Sequence, residues 1–176
     1  MKNFYKYSLG YIVGGGIFLL FIPYGFYKVS TIDGIDIALI GNDIIRYIIS
    51  SLVFFIGACF MLWSNIFLYR MGKGGPSEAF GVSISPITKK LVTTGPYRFS
   101  RNPMVFGALS LYTSVVVLCN SVIGSLCLIV FIILVTIYLK FSEEKRLIKD
   151  FGDEYIDYRK KVSMILPLKR FKDDRA

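Results

Sequence analysis

Residues Met104–Phe141 read MVFGALSLYTSVVVLCNSVIGSLCLIVFIILVTIYLKF. No charged side chain interrupts them before Lys140. A charge at the centre of a bilayer costs about 2.5–3.5 kcal/mol on insertion scales, so such a gap is what a membrane selects for. Cys119-Asn120-Ser121 makes a tight turn that divides the stretch into two apolar runs, about 104–118 and 121–141. At roughly 1.5 Å per residue the second is a full span, and the first is short for one. The pair predicts an antiparallel helical hairpin.

Toward the N-terminus, a run from about Ile44 to Tyr69 is a second long span, and one from about Leu9 to Tyr27 is just long enough to cross. Lys2 and Lys6 precede the latter in the manner of a signal peptide. The run exceeds a signal core, however, and no small-residue cleavage site follows, so it reads as a retained helix. Gly10 and Gly14 form a G-x-x-x-G pair, with Gly15 and Gly16 beyond, suited to close helix approach. Pro23 is expected to kink the last turns. Hydrophobic residues make up 54% of the chain, which leaves too little polar surface to cover a soluble domain. The expectation is one all-α integral membrane domain over 1–176. It has about four transmembrane helices (9–27, 44–69, 104–118, 121–141), a cytosolic loop (70–103) and a cytosolic tail (142–176).

Charge sets the orientation. The loop carrying Asp33, Asp36 and Asp43 has no basic residue beyond the flanking Lys28 and Arg46. The Arg70–Arg101 segment holds Arg70, Lys73, Lys89, Lys90, Arg98 and Arg101, and most remaining Lys and Arg follow Phe141. The positive-inside rule places that segment and both termini in the cytosol, which requires an even number of spans. The net charge of +9 accompanies no nucleic-acid recognition motif, and anionic lipid headgroups are the fitting partner. Lys89, Lys90, Lys160 and Lys161 read as topology charges facing those headgroups. Cys59, Cys119 and Cys127 have no metal-ligand spacing and read as small apolar packers. There is no histidine, which excludes Ser-His and Cys-His hydrolase chemistry as well as a His-bearing zinc site.

The residues outside the spans that suggest chemistry form two stretches. One runs from Gly72-Lys73-Gly74-Gly75-Pro76 through Pro86 to Leu91-Val-Thr-Thr-Gly-Pro-Tyr-Arg-Phe-Ser-Arg-Asn-Pro-Met104. Its Gly and Pro content forbids long regular helix. Irregular backbone at membrane depth persists only when buried in protein or lining a cavity, so this loop is expected to cover the mouth of the bundle. Asn102-Pro103 should open a helix whose first N–H groups can hold a carboxylate. The other stretch begins with Glu143-Glu144-Lys145 and continues through Phe151-Gly152-Asp153-Glu154-Tyr155 and Tyr158 to Pro167. Glu144, Leu147, Ile148, Phe151, Tyr155 and Tyr158 recur at helical spacing, which predicts an amphipathic helix along the membrane surface, bent at Gly152. The acidic pair suits ribose hydroxyls or an ammonium, or simply marks where the helix leaves the bilayer.

Together these stretches resemble the signature of the isoprenylcysteine carboxyl methyltransferase and phospholipid methyltransferase family, in its prokaryotic form. The resemblance covers roughly the last hundred residues; the first two spans match only in hydropathy. It implies S-adenosylmethionine held on the cytosolic side, with contacts falling on Leu91, Val92, Tyr97, Asn102, Pro103, Met104 and Glu143. It also implies methyl transfer to a lipophilic small molecule or prenylated peptide that slides in between helices. Catalytic residues are not assigned; Glu144, Arg98 and Arg101 are the candidates. Many members carry His at the place of Asn102 and Tyr at that of Val105. Asn keeps a hydrogen-bonding side chain but cannot be charged. An arginine that serves the substrate in the eukaryotic carboxyl methyltransferase falls at Leu139, with Lys140 beside it. A carboxylate acceptor is already ionised at pH 7, whereas an amine must lose a proton and this chain has no histidine to take it. Two other readings remain: an NADPH-dependent membrane reductase of similar architecture, and a non-catalytic membrane protein that retains the fold.

Overall fold

The computed structural model describes residues 15–32, 38–72, 78–79, 82–83 and 90–168. The Gly10–Gly14 pair, Asp33, Asp36, Lys73–Pro76, Pro86, Lys89 and the tail beyond Leu168 lie outside them. Four apolar helices form the body: α1 (Ile17–Thr31), α2 (Asp43–Gly72), α3 (Pro103–Cys119) and α4 (Val122–Tyr138). Two short helices follow, α5 (Glu144–Phe151) and α6 (Asp153–Lys161). Two-residue strands, Glu78–Ala79 and Val82–Ser83, pair antiparallel between α2 and α3. The protein is an all-α membrane protein, and its large exposed side chains are those a lipid solvent tolerates, among them Phe55, Leu62, Ile133 and Leu134.

α1 begins as a π-turn, Ile17–Phe21, which ends two residues before Pro23. The Ile22 N–H bonds Ile17 O, five residues back. Phe18's partner in that register would be Pro23, which has no N–H. The Tyr112 hydroxyl takes its place, donating to Phe18 O at 2.9 Å, and Tyr112 is almost wholly buried. Past Pro23 the helix continues as regular α-helix and runs one turn past Tyr27 to Thr31. Phe26 stacks on Tyr112 and meets Phe131 edge-on, which joins α1, α3 and α4 in one core with Ala108, Leu109, Val116 and Leu128.

α2 and α3 pack through small residues. Ser50, Gly57 and Ser64, seven apart, are buried along one face of α2. A Cβ on Gly57 would stand 2.7 Å from Gly107 O, and one on Gly107 would stand 2.7 Å from Gly57 O. Such spacing brings backbones together where hydrophobic driving force between helices is absent. The Ser50 hydroxyl donates to Ser114 O at 2.9 Å.

The hairpin forms as expected. Asn120 ends α3 in the left-handed region, φ 56°, and the Ser121 side chain caps α4 by accepting from Gly124 N–H at 2.9 Å. Asn120 also exchanges two hydrogen bonds with the Ile40 backbone, tying the hairpin turn to the α1–α2 loop. α4 does not stop at Tyr138. It passes through a π-turn, Leu139–Glu143, directly into α5.

Candidate active site

α3 has 17 residues, about 25 Å, shorter than the roughly 30 Å hydrocarbon core. The chain entering it from the loop has irregular backbone, and its buried polar groups need partners within the protein. They find them in the C-terminal tail. Arg101 N–H donates to Ser163 O at 2.9 Å and Asn102 N–H to Met164 O at 3.0 Å. The Asn102 side-chain amide also reaches Met164 O, at 3.1 Å. Buried Ser100 donates weakly to the same carbonyl and accepts from Asn102 N–H. The Tyr158 hydroxyl donates to Tyr97 O at 2.5 Å.

Packing follows the same seam. Gly95, with φ +61°, opens a 3-10 turn, Gly95–Arg98, and the Phe67 ring occupies the place a Cβ would take. Only glycine tolerates both conditions. Pro96 and Pro103 are wholly buried, and Phe99 lies 6.3 Å from the Trp63 ring. Leu91 packs with Tyr155, Tyr158 and Val162, alongside Leu147, Ile148 and Phe151. The apolar face of the tail, expected to lie on the membrane surface, is thus turned against the loop. Tyr155 and Tyr158 are buried there, and burial pushes both hydroxyls above the ordinary tyrosine range. Gly152 separates α5 from α6 with φ 57° and ψ −132°, a conformation open essentially to glycine alone.

The acidic pair divides its labour because of the π-turn. Leu128 and Leu139 lie on the buried side of the α4 rod. Four residues beyond Leu139 is Glu143; five beyond is Glu144. The wider turn brings the second into phase with the buried side, and Glu144 is 5% exposed. Its carboxylate forms an ion pair with Arg101, which also donates to Val162 O at 3.1 Å and to the Tyr155 hydroxyl at 3.3 Å. Arg159 approaches the other oxygen at 3.4 Å. Glu143 stays at the rim, where Arg146 holds it at 2.6 Å.

The Arg101–Glu144 pair brings the two signature stretches together. Asn102 and Glu143 are the immediate chain neighbours of its two members. Val92 is buried, and Leu91, Tyr97, Arg98, Asn102 and Met104 are partly exposed. Asn102 precedes α3 with Pro103 at its first position, and the Asn102 side chain makes no cap bond to the helix. The Met104 and Val105 N–H groups have no partner among the described residues. Sequence reasoning missed Ser100, Ser163 and Met164, which act through backbone or a small hydroxyl and leave no motif. Tyr155 and Tyr158 were visible as a stripe but not as partners of the loop. Among the described residues no cluster of His, Cys, Asp and Glu is arranged to hold a metal ion.

This arrangement defines a class: a helical membrane protein with a polar cap at one end that loop and tail make together. The family model described as phospholipid methyltransferase matches residues 45–154, more than half of the chain, and the chain belongs to that family. The matched region runs from α2 through the loop, the hairpin and the acidic pair into α6. Membership implies methyl transfer on membrane lipid-like substrates. No curated protein and no solved structure matches the chain.

Proposed function

We propose that the protein transfers a methyl group from S-adenosylmethionine to a lipid-like or prenylated acceptor in the membrane. The observation that carries this reading is the buried Arg101–Glu144 pair, which joins the loop to the end of the last span. The residues beside it fit such a cofactor. The open Met104 and Val105 N–H groups at the start of α3 suit a carboxylate. Glu143, at the rim, suits ribose hydroxyls or an ammonium. Leu91, Val92 and Tyr97 line the loop side, with Asn102, Pro103 and Met104 forming the corner between loop and helix.

When bound, the cofactor supplies a methyl group on a cationic sulfonium. The chain positions and shields. Pro96, Ser100 and Pro103 close the loop against water, and exclusion of water with in-line approach is what methyl transfer demands. Arg101 and Glu144 hold one another and keep the cap closed, leaving Arg98 as the remaining candidate at the reacting centre. An acceptor that arrives ionised, such as a carboxylate, needs no base from the protein. The segregated Lys and Arg support a multi-pass topology with both termini in the cytosol, so the cofactor enters from water and the acceptor from the bilayer.

The test is titration of detergent-purified protein with S-adenosylmethionine and, in parallel, NADPH. Heat and a thermal shift with the former are expected. Glu143→Ala should weaken that affinity roughly tenfold to a hundredfold, the range for a hydrogen bond to a charged group. Silence at millimolar S-adenosylmethionine refutes the reading, and stabilisation by NADPH alone selects a reductase. An affinity untouched by Glu143→Ala removes that residue from the site.

A further inference from the structure

The rod formed by α4, the π-turn and α5 is 30 residues long, Val122–Phe151, or roughly 45 Å. A bilayer's hydrocarbon core takes up about 20 of those residues. Counted from Val122, the rod leaves the apolar layer at about Phe141. Phe141 is 58% exposed and stands between two cations: Lys140 Nζ and Lys145 Nζ each lie 5.8 Å from its ring centroid. Lys140 is the ring's chain neighbour, and Lys145 lies four residues on, one helical turn away. Lys149 follows one α-turn beyond Lys145 on the exposed side.

These lysines differ from their basic neighbours. Arg101, Arg146, Arg159 and Lys160 each face a carboxylate, whereas Lys140, Lys145 and Lys149 have none among the described residues. Glu143 and Glu144 are taken by arginines; Asp150, exposed beside Lys149, is the other acid on this end of the rod and forms no ion pair among the described residues. An apolar stripe of exposed Val130, Ile133, Leu134, Ile137 and Phe141 leads to this cluster. Val130 to Phe141 spans roughly 16 Å, close to the hydrocarbon depth of one leaflet.

We infer that this face is a binding site for one anionic phospholipid, distinct from the methyl-transfer site and independent of the reading above. Its acyl chain lies along the Val130–Phe141 stripe. Its phosphate sits among Lys140, Lys145 and Lys149, and charge complementarity selects an anionic over a zwitterionic headgroup. A juxtamembrane lysine contributes about a fivefold preference.

The test uses the full chain carrying Phe141→Trp and Trp63→Phe, reconstituted in nanodiscs that contain brominated phosphatidylglycerol or brominated phosphatidylcholine at equal fraction. Bromine quenches the indole when the labelled lipid is adjacent. Stronger quenching by the anionic lipid is expected, with the preference falling about fivefold for each of Lys140→Gln, Lys145→Gln and Lys149→Gln. Lys160→Gln, at a lysine already paired with Asp157, should leave it unchanged. Arginine at the three positions should preserve it, which separates charge from folding. Equal quenching by both lipids overturns the proposal, as does a preference that survives the triple glutamine variant. Loss of the preference in millimolar inorganic phosphate would assign the cluster to a soluble anion instead of a lipid.

Discussion

Removing Glu144 should release the cap from the bundle. The carboxylate and the Arg101 guanidinium it meets are 7% and 9% exposed as side chains, so neither charge has water to fall back on. Breaking one member of such a pair costs about 3–5 kcal/mol, chiefly because the other charge is left buried. Arg101 keeps its bonds to Val162 O and the Tyr155 hydroxyl, which puts Glu144→Leu at the low end, about 3 kcal/mol. Arg101→Met should cost a similar amount. The double variant buries no unpaired charge and should be less damaging than the sum of the singles by about 2–3 kcal/mol. Hydrogen exchange in detergent reads this locally: amides of α5, α6 and the 90–102 loop should exchange about a hundredfold faster in each single variant. Arg159→Ala is the internal control. That side chain is 42% exposed and 3.4 Å away, and its loss should cost under about 1 kcal/mol. Additive singles, within about 0.5 kcal/mol, would refute a coupled lock. Unchanged exchange in the tail would refute it equally.

Gly57→Ala places a methyl against Gly107 O and should lower the thermal stability of the detergent-solubilised protein by about 1–3 kcal/mol. Gly25→Ala meets nothing within 4 Å and should be neutral or stabilising by about 0.5–1 kcal/mol; equal effects would contradict the α2–α3 contact. Tyr158→Phe leaves Tyr97 O without its donor and should loosen the tail by about 1–3 kcal/mol, measured by exchange of α6 amides. Burial raises the Tyr155 and Tyr158 hydroxyls above their unfolded value of about 10, so the stability they lend is intact below that pH. It falls as pH climbs further, because only the unfolded chain gains by ionising. An ultraviolet titration should show these tyrosines ionising late, with one fewer in Tyr158→Phe; simple titration of all cap tyrosines near pH 10 would contradict their burial.

The helical hairpin was legible because two independent signals coincide at Asn120, a gap in apolar periodicity and a residue tolerant of the left-handed region. The start of α3 was legible for a similar reason, since Pro103 dictates its own place. The π-turns were not. Nothing in Leu139–Glu143 announces an extra residue per turn, and without it Glu143 takes the buried position that Glu144 holds. The assignment of buried and rim carboxylates therefore depends on a register that hydropathy cannot resolve. The tail's orientation was hidden for a different reason: an apolar stripe of Leu147, Phe151, Tyr155 and Tyr158 suits lipid and protein equally. Only the hydrogen bonds from Arg101, Asn102 and Tyr158 decide between them.

The small-residue crossing of α2 and α3 has a mechanical corollary. With Gly57 and Gly107 in backbone contact and Ser50 bonded across the seam, no fatty chain can wedge between those two rods, and they behave as a fixed frame. A greasy molecule that reaches the polar end through the bundle must therefore part other neighbours. The flank where α1 leans on α3 and α4 is joined instead by the Phe26 ring contacts and the Tyr112–Phe18 hydrogen bond.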